Sequence, residues 1–422
     1  MYRILSLDGF GAWSLLQVRA LQELYGAEAP GREVLARFDL VAAHASGSVV
    51  AAALAANWPL SKVMNLFLDE APRRTVLVPA HCPVKGTNSG FQSAKTPSSR
   101  RYEALAALLH PLANIPLAEL PEAVRTTRGG PVHFLFVGLD SPRQAAVMYR
   151  SDLNSAAAAL IPSARVKLVE AVYAASNVAQ EAASGFRRNA GTLCGIANPV
   201  MAAVTEALAN GRTREEIEVL SLGTGHIRLS LNRSVDQTGS VYRMGAEAIL
   251  RSEGLPELGC LADDPPDCAL FMAHVALGQP LPSPKMAVPV GTGSVVRMSP
   301  MIEPIANSHG SVYLPNLGHA VHAPGLTSEA IFAALLGLGS NAAEQEQIGL
   351  IRALADSWVA DRATNQPIRA DSMGRCEIGH RWFSSARDAW LAREVLSQSG
   401  LGAAVLNDRQ RVAVKPGHAS FV

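Results

Sequence analysis

The chain carries almost no net charge. Its 37 lysines and arginines are balanced by 36 acidic residues, for a formal charge of +1, and this removes the electrostatic case for nucleic acid as a partner. A long apolar run is also missing. Nowhere do about eighteen consecutive apolar residues occur, so no transmembrane segment is expected. Aromatics are scarce at 5% and charged residues reach only 17%. The five cysteines, an odd number at irregular spacing, do not form a disulfide framework and fit a reducing compartment. Met1-Tyr2-Arg3 opens directly into a strand pattern with no leader, so the expected location is cytoplasmic. What remains is apolar bulk: 48% hydrophobic residues over 422 positions. That length bounds the chain to one large α/β domain or two smaller ones with a sizeable core. The alanine-rich helices fit a high-GC bacterial source.

A second absence is chemical. Residues 38–51 read FDLVAAHASGSVVA, a hydrophobic strand, a turn of small residues and the start of an apolar helix. In serine hydrolases this shape carries G-x-S-x-G, with the serine exposed on a sharp strand-to-helix turn. Here the five positions are Ala43, His44, Ala45, Ser46 and Gly47. The nucleophile slot holds Ala45, and a methyl group cannot attack a carbonyl.

The chain opens on YRILSLDGFGAWS (2–14), a short apolar strand, a DGFG loop and then a helix (LLQVRALQELYG). With FDL and the elbow-like turn, this resembles the patatin-like phospholipase family, which opens with a strand, D-G-G-G-x-R-G, a helix and F-D-L/I-x-x-G-T-S-x-G-G. AVYAASNVA at 171–179 is similar to the family's A-T-S-A-A-P helix end. NAGTLCGIANP at 189–199 is similar to its D-G-G…N-N-P segment, and VLSLGTG at 219–225 to its S-L-G-T-G strand and turn. The resemblance covers roughly residues 1–230, with its pieces in the family's order. It implies a patatin-like three-layer α/β fold, with a mainly parallel sheet covered by helices on both faces, and a lipid acyl hydrolase ancestry.

The same resemblance marks what has gone. The family pairs its elbow Ser with the Asp of D-G-G as general base; that slot holds Asn189, an amide that cannot take the proton. The family's Gly-rich loop donates backbone N–H groups to the developing oxyanion. In Asp8-Gly9-Phe10-Gly11, the middle Gly is Phe10; further on, the Arg is Trp13 and the final Gly is Ser14. The Gly opening the elbow is Ala43, and the Gly after Gly47 is Ser48. Phe10 and Trp13 would plug the old oxyanion region or line a new apolar pocket.

Other residues are candidates for chemistry. His44 sits beside the lost serine as a new acid, base or ligand contact, or as a turn histidine with a satisfied ring. Ser46 would be a nucleophile only in a shifted register without flanking glycines. Asp8 is expected to hold its loop through backbone N–H groups, and Cys194 to be a buried thiol. His319-x-x-His322 lacks an adjacent Glu, and Cys260 and Cys268 lack partner pairs, so no metal and no cofactor is expected. Gly223-Thr224-Gly225-His226 is read as structural, with phosphate binding as the lesser reading. Arg100-Arg101 and Arg187-Arg188 are read as solvated, the latter pair near enough to the site to meet an anionic head group.

The coarse pattern alternates strand and helix. Helices are expected at about 48–57, 60–70, 101–112, within VKLVEAVYAASNVA and at 199–211. Strands are expected at 132–140, 145–152 and within EEIEVLSLG, with an apolar stretch VLVPA at 76–80 and a surface loop at 83–100. Beyond 230 the resemblance fades. Residues 240–252 and 327–362 read as helical, and 285–300 as a hairpin around Gly291-Thr292-Gly293. Thus 1–230 forms the core and 231–422 an extension packed on it, ending in a basic tail at 401–422.

Three functions remain open. The chain is a natural pseudoenzyme that binds a lipid-like or acyl ligand or a protein partner. Alternatively, it is an enzyme repurposed for chemistry without a serine nucleophile, using His44 and Asp8 across one cleft. The third is a lipid acyl hydrolase inactivated by design. Ala45 and Asn189 are the swaps an experimenter makes, but Phe10, Trp13, Ser14, Ala43 and Ser48 are not, which favours natural divergence.

Overall fold

The segments YRILSL, LVAAH and IEVLSL are apolar at nearly every position, which suits strands buried on both faces. The computed structural model describes residues 1–9, 11–77, 98–126, 130–140, 145–152, 165–176, 189–190, 198–229, 240–243, 268–278, 294–302, 305–306, 311–314, 319–322, 341–360 and 383–398. Its strands are β1 (Tyr2–Leu7), β2 (Leu40–His44), β3 (His133–Asp140), β4 (Ala145–Arg150), β5 (Asn189–Ala190), β6 (Ile217–Leu222), β7 (His226–Leu229), β8 (Ser240–Arg243) and β9 (Val295–Met298). The main sheet runs β4-β3-β2-β1-β6-β9, with β5 also pairing β3. From β3 to β9 it is parallel; β4 and β5 run antiparallel to β3. The protein is therefore α/β with a mostly parallel sheet.

Side chains alternate across this sheet. Leu5, Leu7, Val41, Ala43, Leu220 and Leu222 enter one apolar cluster. Ile4, Leu40, Ala42, Ile217 and Val219 enter another on the opposite face. The first face is covered by α1 (Leu15–Tyr25), α3 (Ser46–Ala55), α4 (Leu60–Leu68) and α8 (Leu168–Ser176), after the short α2 (Gly31–Leu35), α5 (Glu70–Val76), α6 (Ser98–Leu108) and α7 (Leu120–Ala123) are placed around them. The second is covered by α9 (Val200–Ala209) and α10 (Cys268–Ala276). Helix α3 (SGSVVAAALA) is buried along its whole length. Small side chains all round let it sit between sheet and outer helices.

Residues past 230 are not merely laid on a finished core. Strand β9 extends the main sheet next to β6, and α11 (Asn341–Ala360) and α12 (Phe383–Gln398) supply Ile351, Ala355, Trp358 and Trp390 to the larger cluster. Trp390 is fully buried, stacks on Phe38 and donates its indole N–H to the Tyr25 hydroxyl at 3.0 Å. Tyr25 in turn donates to Glu394 at 3.0 Å, and burial pushes its phenol well above the ordinary range. Arg19 on α1 reaches Asp356 on α11 at 2.8 Å.

Several local expectations change. Residues 240–243 form β8, antiparallel to β7, where a helix was expected; 244–252 lie outside the described residues. Val295–Met298 is a strand parallel to β6; 285–293, the rest of the expected hairpin, lie outside the described residues. Val76 closes helix α5, and 78–80 lie outside the described residues. The residues after 298 add β10 (Met301–Ile302), which pairs β7, and a small antiparallel sheet of β11 (Ile305–Ala306), β12 (Ser311–Leu314) and β13 (His319–His322). The 401–422 tail and the 83–97 part of the loop lie outside the described residues. Among the described residues no helix is long and apolar enough to cross a membrane.

Candidate functional site

The elbow is present as a shape. Strand β2 ends at His44, helix α3 starts at Ser46, and Ala45 between them sits at φ 47°, ψ −129°. An L-residue with a side chain rarely adopts a positive φ, and such strain costs on the order of 1–3 kcal/mol. It persists because the surroundings fix it. A Cβ built on Gly9 would run into the backbone of His44, Ser46 and Gly47, and one on Gly47 into the carbonyl oxygens of Leu7 and Asp8. The loop after β1 and the turn after β2 thus interlock through two glycines. Where the glycine pattern is broken, the backbone does not need it. Ala43 lies in β2, paired with Leu7 and Phe136, and Ser48 is helical, its N–H donating to the Ala45 carbonyl at 3.0 Å.

The elbow is covered. Ala45 is 3% exposed and Ser46 5%, whereas a working elbow presents its nucleophile to solvent. The Ser46 hydroxyl lies 2.7 Å from that of Ser14, at the end of the 3₁₀ turn Gly11–Ser14. Trp13 in that turn is buried in the larger apolar cluster. Its ring is part of the core, not the lining of an open pocket. Phe10 lies outside the described residues; Gly11 beside it takes φ 51°.

Asp8 and His44 do not share an open cleft. Both are fully buried. The Asp8 carboxylate is gripped by Arg297 on β9, with nitrogen–oxygen distances of 3.0 and 2.5 Å, and Arg297 also donates to Ser221 at 2.8 Å. Asp8 is thus held by a buried guanidinium on β9. Such forked, charge-assisted bonds are the strong kind. Gln17 adds a brace from α1, donating to the carbonyls of Asp8 and Leu222. His44 Nδ1 lies 3.3 Å from the Val137 carbonyl across the sheet.

The base slot comes to the same place by backbone. Asn189 pairs with Asp140 of β3. Strand β4 takes the other edge of β3 at those residues, so β5 lies on the edge shared with β2. Its pair is three residues past His44↔Val137, about 10 Å along the strand at the usual rise. Ala45 and Asn189, the two residues the resemblance singles out, therefore lie beyond the same end of β2. Cys194 and Arg187-Arg188 lie outside the described residues.

Other sequence candidates resolve differently. Arg101 is buried, where solvation was expected. It donates to Val76 O at 3.0 Å and to the carbonyl and hydroxyl of Ser176 at 3.0 and 2.8 Å, over the Tyr173 ring. Carbonyls at two helix ends plus a ring hold the cation there. Gly223 N–H donates to Met298 O at 2.9 Å and Gly225 N–H to Ser299 Oγ at 3.2 Å, so neither is left for a phosphate. His319 and His322 lie at the two ends of one strand, and His322 is exposed. No cluster of metal-ligating side chains occurs among the described residues. Sequence reasoning missed Arg297 and Gln17; the signal for Arg297 was a lone charge inside the apolar run SVVRM.

No model of a known protein family matches the chain, and no curated protein matches it.

Proposed function

We propose that this protein is a hydrolytically silent, patatin-like pseudoenzyme that acts by binding a lipid-like or acyl ligand or a protein partner. The carrying observation is Ala45: an alanine held at φ 47° in a strand-to-helix turn, where a side chain with no chemistry occupies a strained position. Strain of this kind persists at functional sites, and its retention under a methyl group fits a turn inherited from a nucleophile. The burial of Asp8 and His44, each engaged with a neighbour, weighs against a repurposed acid–base pair. The departures at Phe10, Trp13 and Ser14 weigh against deliberate inactivation.

The test is phospholipid and acyl-ester hydrolysis by the chain beside its Ala45→Ser/Asn189→Asp variant. Neither is expected to turn over. Efficient hydrolysis by the double variant alone would mean that the oxyanion loop is still competent, and the chain an inactivated hydrolase.

A further inference from the structure

The two edges of the main sheet differ. At one edge β9 is buried at all four of its residues. At the other, β4 leaves Ala146 exposed and Val147 and Met148 half-buried. The Ser151 N–H donates to Phe134 O at 3.0 Å, and the antiparallel register with β3 is unbroken from Arg150 back to Ala145. Backbone bonding alternates along such a pair. Val147 and Tyr149 therefore bond to β3, while Ala146 and Met148 turn their N–H and C=O groups outward. Among the described residues nothing bonds to the backbone groups of Ala146 or to the Met148 N–H. The Met148 carbonyl meets the Arg150 guanidinium at 3.4 Å and has a second lone pair to offer. Open edges are usually guarded by lysine, proline or a bulge. Residues 145–149 read AAVMY, with no charge, no proline and no break in register. Arg150, next in the strand, is committed to Glu206 at 2.8 Å.

We propose that β4 pairs antiparallel with β4 of a second copy of this chain, about a two-fold axis at Val147, so that the two sheets become one. This register sets Ala146 opposite the partner's Met148, and Met148 opposite the partner's Ala146. Each such pair exchanges two N–H···O bonds, which uses every outward backbone group of both residues. The side chains match as well. Met148 packs on the cluster under α9, and there a large side chain meets a small one on each side of the axis. Val147 packs on the opposite face and meets its own counterpart in a non-hydrogen-bonded pair, with Cβ atoms within about 4.5–5.5 Å. Within 145–149 no charges are brought together. A patch that complements itself is what a two-fold interface requires, and this favours a second copy over an unrelated strand. The pairing stands apart from the proposed function, since no residue of the elbow takes part.

Sedimentation equilibrium of the full chain tests the pairing at about 100 µM, a concentration that populates a weak, micromolar interface. The expected mass is twice the 44.5 kDa of one chain. Val147→Lys and Val147→Glu each set like charges directly opposite across the axis, and each should weaken the dimer about tenfold. Mixed together, the two variants should pair again, which also shows that both are folded. Val147→Cys should cross-link two copies through the new thiol under mild oxidation, with peptide mass separating it from the native cysteines. A chain that stays monomeric at that concentration overturns the proposal and leaves the edge to a strand of another protein. A dimer that neither charge variant weakens overturns it too, as does cross-linking through native cysteines alone. Should the Val147 variants fail to fold, Ala146→Pro decides the matter, since it removes an outward N–H at an exposed position and no bond to β3. Loss of the dimer is expected, and an unchanged dimer contradicts the proposal.

Discussion

Two turns at the same end of the sheet, one after β2 and one after β6, are built from small residues and are held in different ways. The turn after β6 spends its donors at once: Gly223 and Gly225 bond to the chain that leaves β9, and its positive φ of 92° falls on a glycine. The turn after β2 places its positive φ on Ala45 and has no side-chain cap on the helix that follows. One turn is relaxed and tied into the sheet. The other is strained, and is fixed by interlocking glycines and one hydroxyl pair. Strain on a residue with a side chain, kept where a glycine would relieve it, is the contrast between the two turns.

The sharpest break of this comparison is Arg297→Met. It removes the brace that ties β9 to β6 through Ser221 and to the loop after β1 through Asp8, the loop that interlocks with the turn after β2, and leaves the buried Asp8 carboxylate without its guanidinium; the expected loss is about 3–5 kcal/mol in urea unfolding. A loss under about 1 kcal/mol would mean that the ion pair is not what holds the loop after β1 to the sheet. Next, Gly47→Ala should cost about 3 kcal/mol, because its methyl meets the carbonyls of Leu7 and Asp8. Gly223→Ala should cost as much, since its methyl meets Ser299 Oγ and Cβ and the Arg297 guanidinium, which are held by Gly225 N–H and by Asp8. A cost under about 1 kcal/mol at either glycine would mean that its turn is not closely packed. The smallest effects carry opposite signs. Ala45→Gly should stabilise by about 1 kcal/mol, relief of strain exceeding the added freedom of the unfolded chain. Gly225→Ala should destabilise by about 1 kcal/mol. A destabilised Ala45→Gly would show that the turn after β2 is not strained.

The elbow was legible because its cause is local. A strand of small apolar residues ending at Ala45-Ser46-Gly47 admits few shapes, and Gly9 and Gly47 carry the close approach that defines it. The alternating strands and helices up to Leu222 were legible for the same reason, through local periodicity. Asp8–Arg297 was not, because its partners lie 289 positions apart and pair only once β9 joins the sheet. A strand's partner is chosen by the whole sheet, not by its neighbours in sequence. Arg101 looked solvated because its acceptors, Val76 O and Ser176 O, are backbone carbonyls that carry no mark in the sequence.

The most direct measurement is the intact mass of the unmodified chain after exposure to a fluorophosphonate that tags activated serines, with the adduct mapped if one forms. No adduct is expected, since the strained position holds Ala45 and Ser46 is buried against Ser14. An adduct on Ser46 would give the elbow a working nucleophile one residue along and contradict the account of a silent site.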